Sequence, residues 1–529
     1  MSEINVYNTM TGTKEPLITR EPGKVGMYCC GPTTYNLIHL GNARPLVVFD
    51  TIRRYLTYKG YQVTFIQNFT DVDDKIINRA REEGQEPQAL ARHYIEEYFK
   101  DADALNVQRA TVHPKVSDHM QDIIDFVKSL EDKGLAYQLE GDVYYSVSKF
   151  KDYGKLSKRN REDLLDGARV GVDSRKRDAA DFALWTKAKP GEPSWESPWG
   201  KGRPGWHIEC SAMSNKYLGE SFDIHGGGFD LIFPHHENEI AQSEGRFGKT
   251  MARYWVHNGF ITINHEKMSK SLGNFFLLRE ILEKFSGQVI RFYLLSVHYR
   301  SPLDFDDEKL SVAEKGLERL KNAARLSREA LAAGQGEAGA AKAAEGAGAG
   351  ESAAGGEAGS TKATGNGEAA GPRDTAEKNA AFQREIAGAK ARFEEAMDDD
   401  FNTALAIAAL FDMARSLNSY GGGAPVQKDA LATGLETFLK LAAVLGLCLE
   451  EEGAEDQQLN GALAALLTSL GSSAEGEEGM EALMEKLLAL RQQSRQARDF
   501  AKADKIRDGL KALGILVEDS AQGSRWRRG

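Results

Sequence analysis

The segment from Lys24 to Phe69 constrains the fold of this chain more than any other. "KVGMYCCG" (24–31) is a short apolar run that ends in a Gly-Pro turn and reads as a buried strand. "LVVFDTIRRYLTY" (46–58) has the apolar spacing of an amphipathic helix, and "YQVTFIQNF" (61–69) reads as a second strand. Strand, glycine-containing turn, helix and strand make a βαβ unit, whose strands are parallel. Such sheets carry nucleotides in the crevice beyond the carboxyl ends of their strands.

Farther along, "VSDHMQDIIDFVKSLEDKG" has helical periodicity, and "LAYQLEGDVYYSV" alternates like a hairpin about its Gly-Asp turn. This segment interrupts the α/β pattern, and strand and loop signals return at "FDIHGGGFDLIFPHHENE". Beyond about residue 305 the chain is almost wholly helical in pattern. Between residues 332 and 371, Gly and Ala fill 27 of 40 positions, a composition that cannot bury a core and predicts a disordered linker. The expected architecture is α/β: a Rossmann-like parallel-sheet catalytic domain (1–115 and 200–305) with an inserted connective domain (116–199). A helical domain follows (306–475, containing the linker), and then a small C-terminal domain (476–529).

Composition excludes some functions. The N-terminal "MSEINVYNTMTGTKEPL" has no basic segment followed by an apolar one, and no apolar run is long enough to span a bilayer, so the expectation is a cytoplasmic protein with no membrane partner. The four cysteines, two of them adjacent, argue against a disulfide framework and leave thiols or metal ligands. A net charge of -11 argues against coating nucleic acid with the whole surface, but permits a local basic patch. Residues 480–529 carry eleven Lys or Arg against seven Asp or Glu. Within them Arg491, Arg495, Arg498, Lys502 and Lys505 recur at spacings of 4, 3, 4 and 3, as one helical stripe would. A solvated face has the same pattern. The tail "GSRWRRG" adds a stacking ring to phosphate-binding cations, the combination single-stranded RNA requires.

Three short motifs carry chemistry. In "FPHHENEI" (233–240), His235 and Glu239 stand at i, i+4, a spacing that suits a shared metal and equally a solvated helix face. "HLGN" (39–42) lies directly before a helix: Gly41 lets backbone approach a nucleotide, the helix N-terminus supplies positive potential, and His39 can donate to phosphate oxygens. "KMSKS" (267–271) sets Lys267 and Lys270 with Ser269 and Ser271 on a loop that can close over a triphosphate. In this order, after a strand in an α/β context, the last two resemble the paired signatures of class I aminoacyl-tRNA synthetases, the first written HLGN in place of HIGH.

Together, "YCCGPTTYNLIHLGN", "GWHIECSAM", "DIHGGGFDLIFPHHENEIAQSE" and "EKMSKSLGNFF" resemble the cysteinyl-tRNA synthetase family. The resemblance runs from about residue 5 to 330 and resumes at "AMDDDFNTALAIAALFDMAR" and "EDSAQGSRWRRG". It implies activation of L-cysteine with ATP and Mg²⁺, followed by transfer to the terminal adenosine of tRNA(Cys). It implies one Zn²⁺ per subunit, bound by Cys30, Cys210, His235 and Glu239. Cys29 and Cys30 would project to opposite strand faces, and the family's Cys-Gly step selects Cys30. His39, Lys267 and Lys270 become catalytic. Gly41, Asn42, Thr70, Trp206, His225, Gly226, Asp230, Ser269 and Ser271 become substrate and ATP contacts, and Asp519, Trp526 and Arg527 contact tRNA. A monomer is the default.

Chemistry explains such a zinc. Cysteine and serine differ by one atom, too little for a cavity to reject, whereas Zn²⁺ binds a thiolate at about 2.3 Å and lowers the thiol's pKa. Bland readings remain: a closed structural zinc uses the same ligand types, Trp206 can be core, and Thr70 with Asp71 can cap the next helix. Two rival functions remain as well: a ligase joining cysteine to a small amine, against which the basic tail argues, and a zinc-stabilised RNA-binding protein, which gives no reason for the KMSKS loop.

Overall fold

The computed structural model describes residues 3–159, 175–263, 266–267, 275–344, 372–422, 426–449, 454–470, 472, 480–497, 499–520 and 523–528. The expected βαβ unit is present: strand β1 (Lys24–Cys29), helix α1 (Leu40–Tyr58) and strand β2 (Gln62–Gln67), with Cys29 paired to Gln67 in a parallel ladder. After the insertion come α2 (Trp206–Leu218), β3 (Phe222–Gly228), α3 (Glu237–Phe247) and β4 (Ala252–Asn258). The sheet order is β4-β3-β1-β2, parallel throughout. Six consecutive residues of β3, Phe222 to Gly227, are buried, as a strand covered on both faces requires. The insertion forms a separate antiparallel sheet of Ala136–Leu139, Asp142–Tyr145, Phe182–Lys187 and Gly202–Pro204. Its first hairpin turns at Glu140 and Gly141, both at positive φ, one residue earlier than the Gly-Asp step suggests.

The exit of β2 is braced by His113, whose Nδ1 lies 3.0 Å from the Gln67 carbonyl and whose Nε2 accepts from the Ala110 N–H at 3.0 Å. The ring stacks on Phe69, and burial holds its pKa down to about 4. Because the folded value lies below the unfolded one of about 6.5, this group's contribution to stability is complete above pH 6.5 and is lost as pH falls toward 4. The denaturation midpoint should therefore drop across that window, by on the order of 3 kcal/mol from this residue. His113→Asn should flatten that part of the profile. Identical slopes for the two proteins would contradict the assignment.

The second half is helical, as expected: α4 (Gly287–Leu295), α5 (Asp307–Ala344), α6 (Pro372–Asp398), α7 (Thr403–Gly421) and α8 (Lys428–Val444), with α7 packed against α5, α6 and α8. One expectation needs correction. Helix α5 runs through Ala344, so residues 332–344 of the supposed linker are helical; alanine is the best helix former, and low apolar content does not prevent a helix from extending. The rest of that linker, 345–371, lies outside the described residues.

Residues Leu449–Gly529 form a compact unit distinct from Met1–Cys448. It contains α9 (Ala454–Ser469), which the sequence reading placed with the preceding helices, then α10 (Met480–Gln496), α11 (Phe500–Ala512) and the hairpin β5 (Ile515–Ser520) with β6 (Gly523–Arg528). Its core is Leu463, Leu467, Leu483, Met484, Leu487, Ile506 and Leu510. The single basic stripe does not survive. The helix breaks after Gln496, Asp499 caps α11 by accepting from the Lys502 N–H, and Arg491 is buried, while Arg498 lies outside the described residues. Trp526, opposite Val517 in the hairpin, packs on the leucine core. The side chains of Asp519 and Arg527 lie outside the described residues.

Candidate active site

A crevice of about 360 Å³ opens at the carboxyl ends of the parallel strands. His39, Gly41 and Asn42 line it at the start of α1, where the His39 N–H donates to Asn42 Oδ1 at 3.3 Å and fixes the turn. Gly227 and Gly228 at the end of β3 and Asp230 just beyond it also line it, and Trp206, the first residue of α2, lines it while 41% exposed. Trp206 is thus no core residue. The first signature is tied to the chain that follows the second: the Leu40 N–H donates to the Phe276 carbonyl (3.2 Å) and the Leu278 N–H to the Ile38 carbonyl (3.0 Å). Lys267 ends a two-residue strand paired with Ile261–Ile263, and Ile261 lines the crevice. Ser269, Lys270 and Ser271, like the side chain of Lys267, lie outside the described residues.

Beside Trp206 the four expected ligands converge, one after β1, one on α2, one in the turn before α3 and one in its first helical turn. Cys30 Sγ lies 3.6 Å from Cys210 Sγ, 3.4 Å from His235 Nε2 and 3.5 Å from Glu239 Oε1. His235 Nε2 lies 3.0 Å from Glu239 Oε1. A tetrahedral zinc with bonds of about 2.0–2.3 Å has edges of roughly 3.3–3.8 Å, so these four separations match it to within a few tenths of an ångström. Cys30, His225, His236 and Glu239 also converge. That set contributes one sulfur where the first contributes two, and His225 Nε2 already lies 2.8 Å from Glu239 Oε2. The first set leaves Glu239 Oε1 for an ion while His225 orients the carboxylate through Oε2, the arrangement that tunes a metal ligand from behind.

Protonation follows from burial and mutual charge. Burial pushes the Cys30 thiol well up, and Cys210 adds to that. Burial opposes ionisation of Cys210 too, but the hydrogen bond from Cys30 and the pull of His235 bring it down to about 6. Glu239, against its burial, is held down to about 2 by His225 and His235, and His235, against its burial, rises to about 10 beside Glu239 and Cys210. The cluster therefore holds two anionic donors together with protons that a divalent cation would displace. His207 is held neutral by burial and by the charge of His235, so its Nδ1 accepts from His235 Nδ1–H across 2.9 Å and leaves His235 Nε2 facing the other donors.

Three expected contacts sit elsewhere than the crevice wall. His225 is fully buried, stacked on Trp255 and engaged with Glu239. A Cβ on Gly226 would lie 2.2 Å from the Phe49 ring, so that glycine admits α1 against the sheet. Thr70 Oγ1 donates to the buried Glu209 carboxylate at 2.8 Å, one residue from the ligand Cys210, and does not merely cap a helix. Sequence reasoning missed His207 and Asn68. Asn68 Oδ1 accepts from the Gly31 N–H at 3.0 Å and lies 3.7 Å from Cys210 Sγ. A histidine inside "GWHIEC" was the available signal for the first; nothing local marks the second.

Residues 17–315 match the model of the class I (C) tRNA synthetase catalytic domain, 392–450 the DALR domain, and 477–527 the cysteinyl-tRNA ligase anticodon binding domain. The chain is 56% identical to the cysteine-tRNA ligase of Heliobacterium modesticaldum over 530 residues, 99% of each chain. It is 55% identical to that of Pelotomaculum thermopropionicum over 99% of this chain and 100% of the relative. The fold is also that of the Mycobacterium tuberculosis methionyl-tRNA synthetase in complex with methionyl-adenylate, at a TM-score of 0.55, 17% identity, and coverage of 80% of this chain and 89% of that one. With relatives above half identity along 99% of its length, the chain belongs to the cysteine-tRNA ligase family of class I synthetases.

Proposed function

We propose that this chain activates L-cysteine with ATP and Mg²⁺ and transfers the cysteinyl group to the terminal adenosine of tRNA(Cys). The observation that carries the reading is the cluster of Cys30, Cys210, His235 and Glu239 set beside the exposed ring of Trp206, in the same crevice as the HLGN turn. Zn²⁺ held by these four side chains, one per chain, would bind the substrate sulfur as thiolate and so distinguish cysteine from serine. Trp206 covers the ligand side, its ring centroid 4.2 Å from that of His235, and supplies an apolar wall to the substrate.

Activation requires positioning more than covalent chemistry. The cysteine carboxylate attacks the α-phosphorus in line, its oxygen forms the new P–O bond, and pyrophosphate leaves with the electrons of the broken one. His39 and the N-terminus of α1 meet the phosphates from one side, and Gly41 leaves room for them. Lys267 and Lys270, with Ser269 and Ser271, close from the other and stabilise charge as pyrophosphate departs. Asn42 holds the turn through the His39 N–H, and Gly228 and Asp230 border the ribose side. A ribose hydroxyl of the terminal adenosine then attacks the mixed anhydride and releases AMP. The C-terminal unit, with Asp519, Trp526 and Arg527, reads the anticodon, and the helical half contributes to tRNA binding. The protein acts as a monomer in the cytoplasm. Among the described residues no helix is long and apolar enough to cross a membrane.

ATP-pyrophosphate exchange tests the reading. Exchange should be strong with cysteine and near background with serine. Equal exchange with both would remove the sulfur-selecting role of the cluster, and none with cysteine would remove the activity.

A further inference from the structure

The run Asp398-Asp399-Asp400, where α6 turns toward α7, reaches three places in the α/β half. Asp398 Oδ1 accepts from Tyr55 Oη at 2.6 Å and Lys59 Nζ at 3.0 Å, at the far end of α1. Asp399 accepts from Lys14 Nζ at 2.6 Å. Asp400 is fully buried and accepts from the Tyr7 N–H at 2.8 Å, Tyr299 Oη at 2.7 Å and Arg300 Nε at 2.7 Å, with His298 Nε2 at 3.4 Å. Asp400 and Phe401 hold φ of 64° and 52°, a region that disfavours non-glycine residues and persists where surroundings over-determine it.

A second grip lies at the other end of α1. Arg44, two residues past the HLGN turn, is fully buried, and its guanidinium donates to four carbonyls: Gly259 and Phe260 at 2.9 Å each, His298 at 3.4 Å and Ser301 at 2.5 Å. Gly259 and Phe260 follow β4 and line the crevice opposite the HLGN turn. The two segments are locked further: the Gly259 N–H donates to the Tyr299 carbonyl at 2.8 Å, and a Cβ on Gly259 would lie 2.6 Å from the Ser301 carbonyl oxygen. A continuous path thus runs from Asp400 through residues 298–301 and Arg44 to the crevice wall.

We infer that Asp400 is a positioning residue for ATP. By holding residues 298–301 it sets, through Arg44, the separation between the HLGN turn and the Gly259-Phe260 wall. Asp398 anchors the same helix at its other end, so the seating of the helical half is felt in the nucleotide crevice rather than at the thiol-binding cluster. The inference rests on the proposed activation of cysteine.

The test is ATP-pyrophosphate exchange by the full chain, with KM measured separately for ATP and cysteine, alongside zinc content, thermal melting and calorimetric titration with ATP. Asp400→Asn and Arg44→Lys should raise KM and Kd for ATP roughly tenfold, leaving KM for cysteine and zinc content near wild type. Tyr299→Phe removes one hydrogen bond to Asp400 without stranding a charge and should shift ATP in the same direction by a smaller factor. Leu405→Ala, an exposed position in the first turn of α7, should change neither constant. Unchanged ATP constants in a folded Tyr299→Phe protein would overturn the inference even if Asp400→Asn fails to fold. A fall in kcat with both KM values unchanged would also overturn it, since that marks only a smaller folded fraction. Wild type inactive with cysteine but binding ATP would instead defeat the proposed function.

Discussion

A Cys210→Ala variant is expected to purify without zinc and to lose cysteine-dependent ATP-pyrophosphate exchange by about a thousandfold or more. Three donors remain, but the sulfur that the cluster holds as an anion is gone, and with it the charge that would favour a soft, thiolate-binding cation. Cys30 and Trp206 line the crevice, so an ion held by these four side chains would lie beside the space for a substrate sulfur and would offer it a bond. Glu239, whose carboxylate is shared with His225, is the donor best placed to yield. Metal content by emission spectroscopy, circular dichroism and exchange with cysteine and serine decide the matter. A folded, metal-free variant that still exchanges pyrophosphate with cysteine would reduce the zinc to a structural role.

Gly31→Ala should be nearly as damaging without touching a ligand. A Cβ there would lie 1.6 Å from the Asn68 carbonyl oxygen and 2.8 Å from its carbon, and both belong to backbone that no rotamer change can clear. Restoring van der Waals distance requires a shift of well over 1 Å between the exits of β1 and β2. That shift breaks the Gly31 N–H bond to Asn68 Oδ1 and moves Cys30 away from its three partners. Misplacement of this size costs about a hundredfold in rate, and more where metal affinity falls with it. Zinc content and exchange should decline together. A variant with normal zinc and normal exchange would show that the two strand exits can separate freely.

The sheet was legible in the sequence because strand and helix periods are local, and a βαβ unit admits few topologies. His235 and Glu239 were half legible: their spacing put them near one another, although His235 sits in the turn before α3 and not on a regular helix. Cys30 and Cys210 meet across 180 residues, a relation that no local pattern carries and only family resemblance supplied. Asn68, His207 and the orienting role of His225 went unread, since they depend on side chains brought together by the fold. The basic stripe failed for an instructive reason. Charge spacing continues across a helix break, and Asp499, whose side chain makes that break a cap, belongs to the acidic minority that the spacing of the cations passes over. In residues 332–344 composition spoke only to the lack of apolar side chains and said nothing against a helix.

The distribution of the metal donors along the chain also sets a timetable. Cys30 emerges from the ribosome 209 residues before Glu239, which at 5–20 residues per second is an interval of roughly 10–40 s. The adjacent thiols of Cys29 and Cys30 spend that interval without the partners that later enclose them, while the inserted antiparallel sheet is being made. On the proposed zinc reading, capture of the ion by the complete set is therefore a late event of synthesis, and a cell short of zinc would accumulate full-length chains whose sheet is built and whose amino acid selector is not.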